Sequence, residues 1–157
     1  MTEKPAVLVS ACLLGSMCRY NGKGELHEGL KDLMAQAFLI PVCPEIYGGL
    51  PTPRTPAERR DGRVLCRDGR DVTDQYQKGA KETLQFARLY GCRAAVLKER
   101  SPSCGSGRIY DGTYTHTVTD GDGVTAQLLK AHGILVFGES EVDKLKDLLH
   151  DEDCGST

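Results

Sequence analysis

Seven cysteines stand out in a chain of 157 residues. Thiolates are good nucleophiles and soft metal ligands, so their placement decides which chemistry the chain can perform. Their number is odd and their spacing irregular, whereas a disulfide scaffold is usually shorter and even-numbered. Met1 to Pro5 carry an acid and a proline. The apolar run that follows, Ala6 to Val9, is too short for the apolar region of a signal peptide. Val9-Ser10-Ala11-Cys12 mimics a lipoprotein cleavage box without the long run such a box follows. The expectation is a cytoplasmic protein, where cysteines stay reduced and serve as ligands or nucleophiles.

The elements that must position these thiols can be read from apolar periodicity. Ala6 to Ser10, Phe38 to Val42, Ala94 to Leu97 and Ile134 to Phe137 are short apolar runs that read as buried strands. Pro41 puts the second of them at a sheet edge. Leu26, Leu30, Leu33, Met34 and Ala37 recur at helical spacing and predict a helix near 26–37. Tyr76, Ala80, Leu84 and Ala87 line one face of a longer helix, about 72–90, which Gly91 ends. Asp122 is placed to cap a helix running to about His132, and Val142, Leu145, Leu148 and Leu149 mark a last one. Residues 48–62 read as a Pro-stiffened loop, Val64 to Cys66 as a small β excursion, and Asp111-Gly112 as the turn of a hairpin.

Strands alternating with helices predict an α/β fold. It should be a single-domain, Rossmann-like three-layer sandwich with a mostly parallel four- to five-stranded sheet, right-handed crossovers and a small β-hairpin excursion. That domain spans residues 1–150, and 151–157 form a flexible tail. Ligands of such sheets sit beyond the carboxyl ends of the strands. The rule sorts the cysteines. Cys12, Cys43 and Cys104 each follow a strand and face one crevice, whereas Cys92 precedes a strand and points to the opposite edge. Cys66 lies in the β excursion, Cys154 in the tail, and Cys18 stays undecided. Three thiolates from three loops can bind a metal. The absence of any CxxC pair argues against a structural zinc knuckle. Buried cysteine as a small apolar residue is the competing reading.

The three cysteine segments resemble the bacterial iron–sulfur-dependent thiouracil desulfidases, a family long listed as a domain of unknown function. The likeness rests on Val7 to Gly15 with Cys18-Arg19-Tyr20-Asn21-Gly22, and on Pro41-Val42-Cys43-Pro44-Glu45 with Gly48 to Arg54. It continues in Lys98-Glu99-Arg100-Ser101-Pro102-Ser103-Cys104-Gly105 with Ile109 to Gly112, and in Gly121 to Ala126. The motifs run in order over about residues 6–138. The resemblance implies a [4Fe-4S] cluster on Cys12, Cys43 and Cys104, with one iron free of protein ligands. It also implies desulfuration of thiolated pyrimidines, 2- or 4-thiouracil or thiouridine, with Glu45 and Ser101 in the active site. A thiocarbonyl sulfur is soft and suits an open iron. Glu45 can take a proton from water or protonate the ring, provided burial raises its pKa. By chain position alone, Glu45 reads equally well as a cap beside Pro44, and Ser101 as a turn hydroxyl before Pro102.

Other functions fit less well. With 20 basic and 22 acidic residues and a net charge of −2, the near-neutral balance argues against a binder of long nucleic acids. No apolar stretch reaches the roughly 20 residues that span a bilayer. Cys12 to Arg19 resembles the phosphate loop of low-molecular-weight phosphatases, but six residues separate Cys12 from Arg19 where that loop has five. No Asp-Pro pair supplies the phosphatase acid. A non-catalytic sulfur or metal carrier using the same thiolates is the stronger alternative. Arg54 is placed either to touch substrate from a lid or to form a structural ion pair.

Overall fold

The computed structural model describes residues 4–155, and the side chains of residues 4–151. In chain order, β1 is Ala6–Ser10, α1 Glu28–Leu33, β2 Phe38–Val42, α2 Pro44–Tyr47, β3 Ala57–Arg60 and β4 Arg63–Cys66. Then follow α3 Thr73–Leu89, β5 Ala94–Leu97, β6 Arg108–Tyr110, β7 Val118–Asp120, α4 Val124–Ala131, β8 Leu135–Gly138 and α5 Val142–Gly155. Four strands form a parallel sheet in the order β2-β1-β5-β8. Pro41 does lie at the edge, where its missing N–H costs the ladder nothing.

Alternation along β1 divides the core. Val7 and Val9 face α1 and α5 and pack with Leu30, Leu33, Val142, Leu145 and Leu149. Leu8 points the other way, toward Leu84 and Ala87 of α3 and Ala126 and Leu129 of α4. Helices thus cover both faces, as an all-parallel sheet requires, and the three-layer α/β sandwich stands. A smaller cluster of Val64, Cys66, Val72 and Tyr76 seats the antiparallel β3–β4 pair on α3.

Several local expectations change. The first helix shrinks to α1, because the chain before it is used to fold back on the turn after β1. Backbone bonds run from the Glu25 N–H to Cys12 O at 3.0 Å and from the His27 N–H to Leu13 O at 2.8 Å. The loop read at 48–62 contains β3, and the chain just before it forms α2. Asp122 does not cap α4, whose cap position is Gly123. Its carboxylate instead accepts from the Gly107 N–H at 2.8 Å and from Lys130 Nζ at 2.9 Å. The β6–β7 pair is joined by the whole of 111–117 rather than by a two-residue turn. The helix α5 continues to Gly155, so the backbone at 151–155 is helical. Ser156 and Thr157, and the side chain of Cys154, lie outside the described residues.

Candidate active site

The carboxyl edge of the sheet builds a cavity of about 250 Å³. Cys12, Cys18, Cys43 and Cys104 all line it, together with Glu45, Ser101 and Arg54. Cys12 sits on a 3-10 turn, Ala11–Leu13, that directly continues β1. Cys43 directly follows β2 and takes the cap position of α2, where its carbonyl accepts from the Tyr47 N–H at 3.0 Å. Cys104 comes from the loop after β5. Cys66 and Cys92 are buried but do not line the cavity.

Cys18 is the thiol that the sequence left undecided. The chain turns at Gly15, whose φ is 100°, a left-handed value that glycine adopts without strain. It then returns past Gly24, where an added Cβ would lie 1.8 Å from Ser16 O. This fold-back delivers Cys18 to the cavity beside Cys12 and Cys43. The neighbouring thiols favour the Cys18 thiolate, while Cys18 and then burial raise the pKa of Cys12 and Cys43. Burial first, then the nearby Glu45 charge, pushes Cys104 up to about 12.

The loop that carries Ser101 and Cys104 is held by its own backbone and by α4. Ser101 Oγ accepts from the N–H groups of Ser103 and Cys104, each at 3.1 Å. The first turn of α4 donates back to this loop: Val124 N–H to Pro102 O at 2.9 Å and Thr125 N–H to Ser103 O at 2.8 Å. Gly123 permits the approach, since an added Cβ there would stand 2.4 Å from the Ser103 carbonyl. Arg100, at φ 65°, holds a left-handed conformation that is strained for a side chain of its size. At the other end of the loop, the Lys98 N–H donates to Ser10 Oγ at 2.9 Å, locking β5 to β1 beside Cys12.

Glu45 stands on the first turn of α2, two residues after Cys43, and its side chain is 14% exposed. Arg54 Nε donates to its Oε2 at 2.7 Å, and Arg54 Nη2 makes an ion pair with the same oxygen. The other oxygen, Oε1, receives only a long 3.5 Å contact from Ser101 Oγ. Burial raises the pKa of Glu45 and outweighs the opposing pull of Arg54. This is the environment that the sequence required of a carboxyl exchanging protons near neutral pH. Glu58, a second buried carboxylate on the cavity wall, was not legible in the sequence. It accepts from the N–H groups of Gly112 at 3.0 Å and Tyr114 at 3.1 Å and so holds the 111–117 segment over the cavity. His116 is exposed. It also lines the cavity rim with its ring edge-on to Tyr110, 5.9 Å between centroids.

The donor set tests which inorganic group this cavity can take. Among the described residues, no three of His, Cys, Asp or Glu close around one point as a single ion demands. The thiols border a cavity instead, from the α1/α5 side for Cys12 and Cys18 and from the α3/α4 side for Cys104. A soft, all-sulfur donor set spread over three loops fits a polynuclear iron–sulfur group.

Fold and site together define a class: a parallel α/β protein that gathers buried thiols and buried carboxylates at the carboxyl edge of its sheet. The chain belongs to the 2-thiouracil desulfurase family, whose model matches residues 7–141. It is 42% identical over 149 residues to the uncharacterized protein YbbK of Bacillus subtilis (strain 168), covering 88% of this chain and 99% of that one. It also resembles the solved structure of a [4Fe-4S]-dependent thiouracil desulfidase, TudS. That similarity has a TM-score of 0.88 and 44% identity, over 94% of this chain and 99% of the other.

Proposed function

We propose that this protein is a [4Fe-4S]-dependent desulfidase of thiolated pyrimidines, free base or nucleoside. It converts the thiocarbonyl to a carbonyl and releases sulfide. The reading is carried by the convergence of Cys12, Cys43 and Cys104 with Glu45 and Ser101 on one cavity, in a chain of the desulfurase family. Cys12, Cys43 and Cys104 would hold the cluster. Bound by three thiolates, it supplies an iron without a protein ligand, a soft Lewis acid for a thiocarbonyl sulfur.

The remaining work falls to the chain's own side chains. The thiocarbonyl compound and water give the carbonyl compound and hydrogen sulfide, so no electrons are gained or lost. Water must lose one proton as its oxygen bonds to the ring carbon and the second as the carbonyl forms, and the departing sulfur gains both to leave as hydrogen sulfide. Glu45 Oε1 takes the first proton and returns it, a role that burial favours by raising its pKa above the ordinary carboxylate value. Ser101 lies between that oxygen and the Cys104 turn and orients substrate or water. The Ser103 and Cys104 N–H groups donate to its oxygen, and its own proton makes only the long 3.5 Å contact with Glu45 Oε1. The described residues include no helix long and apolar enough to cross a membrane.

The test is Glu45→Ala in protein loaded anaerobically with cluster, assayed for sulfide and uracil from 2- and 4-thiouracil and for the corresponding products from thiouridine. Iron content should stay at the wild-type level while turnover falls by about 100-fold or more. Unchanged turnover would remove Glu45 from the chemistry. Fully loaded wild-type protein that turns over none of these compounds would leave a sulfur or cluster carrier as the function.

A further inference from the structure

Arg54 lies on the Pro-rich loop, and its side chain is only 7% exposed although it borders the cavity. A guanidinium carries five N–H donors; four make hydrogen bonds within the protein, and Nη2 is also ion-paired with Glu45. Nε reaches Glu45 Oε2 at 2.7 Å, and Nη2 pairs with the same oxygen. Nη2 also donates to Cys18 O at 2.9 Å, and Nη1 to Pro51 O and Thr52 Oγ1, both at 3.2 Å. The Arg54 backbone N–H adds a bond to Tyr20 O at 2.8 Å. All three guanidinium nitrogens are thus engaged by the protein, so Arg54 is built to hold its neighbours rather than to grip a substrate. Glu45, by contrast, has one oxygen doubly held and the other without a strong partner.

We propose that Arg54 is the positioning residue of the site: it clamps Glu45 by Oε2, presents Oε1 to the cavity, and ties that carboxyl to the Cys18 segment. The inference deepens the desulfidase reading and rests on it for the role of Glu45. A planar fork is needed, because three anchoring points at Glu45, Cys18 and the 51–52 turn must be met at once. Lysine offers a point charge and can meet only some of them.

A double-mutant cycle over Glu45 and Arg54 tests this, with two readouts. In cluster-loaded protein, Arg54→Ala should lower kcat by about 10-fold or more with KM within about threefold of wild type. Glu45→Ala with Arg54→Ala should be no slower than Glu45→Ala alone. Guanidinium added to Arg54→Ala should restore part of the turnover, and Arg54→Lys should fall between. A rise in KM at unchanged kcat, or losses that multiply in the double variant, would overturn the clamp and make Arg54 a substrate contact or a separate structural element. The second readout is the melting temperature of cluster-free protein. Arg54→Met and Glu45→Gln should each melt lower than wild type, and the double variant should recover much of the loss. Additive melting losses would also refute the clamp. This arm holds even if the loaded protein releases no sulfide, an outcome that would sink the desulfidase reading alone.

Discussion

Replacing Gly79 with alanine should damage a site that Gly79 never touches. In the middle of a helix this change ordinarily stabilises by about 0.5–1 kcal/mol, because glycine loses the most backbone freedom on folding. Here the sign reverses. A Cβ on Gly79 of α3 would lie 1.8 Å from Pro44 O and 3.3 Å from Gly48 N, so α2 would have to move by roughly an ångström or more to reach ordinary contact. The facing contact is as tight, with a Cβ on Gly48 falling 2.1 Å from Gln75 O. Overpacking of this kind costs about 1–3 kcal/mol, which exceeds the helix gain. At roughly 2–4 °C per kcal/mol for a domain near this size, the melting temperature should drop by several degrees. The functional loss should be larger. α2 carries Glu45 and begins one residue after Cys43, and a misplacement of about 1 Å costs on the order of 100-fold in rate. The assay is thermal melting of the cluster-free protein together with iron content and sulfide release after loading. A Gly79→Ala variant that melts above wild type and keeps full turnover would refute the packing argument.

Changing Cys12, Cys43 or Cys104 to serine should abolish the brown iron–sulfur absorbance after anaerobic loading, while Cys92→Ser should leave it; colour retained in any of the first three would remove that residue from the ligand set. Ser101→Ala should lower turnover less than Glu45→Ala, because water partly replaces a hydroxyl. It should also lower stability by about 1 kcal/mol, since two loop N–H groups lose their acceptor; equal damage from both variants would contradict the separate roles. Cluster uptake should be pH-dependent, because a thiol must lose its proton to bind metal and burial pushes Cys104 from 9.0 up to about 12. Loading at fixed iron and sulfide should therefore be faster at higher pH, and a flat or inverted profile would refute this. The same raised value means that Cys104 stabilises the cluster-free protein fully below pH 9.0, and that this contribution fades as pH rises through about 12.

Much of the fold is legible because the sheet is parallel and buried on both faces. Such strands are continuous apolar runs, and Cys12, Cys43 and Cys104 stand just beyond three of them. The faces of α3 also follow from spacing, with Tyr76, Ala80, Leu84 and Ala87 all buried. What stays hidden depends on contacts between distant segments. Helix α2 has four residues, too few for any period to register. Strand β3, Ala-Glu-Arg-Arg, has no apolar alternation, and its buried Glu58 is accommodated by backbone donors from 111–117. Cys18 reaches the other thiols only through a fold-back set by Gly15 and Gly24. The sequence offered Arg54 two roles, and the structure makes it an ion pair with Glu45. The glycines of the last motif reveal their purpose only where Gly123 meets the Ser103 carbonyl.

The central claim is that the thiol-lined cavity performs catalytic, non-redox desulfuration. Its most direct test is a time course of sulfide and uracil from 4-thiouracil, run anaerobically on protein of known iron and labile-sulfide content with no reductant present. The account predicts sulfide and uracil in equal amounts, continuing well past the roughly four sulfides that a cubane cluster itself contains. Release that stops at the cluster's own sulfide content, or that requires an added electron donor, would contradict it.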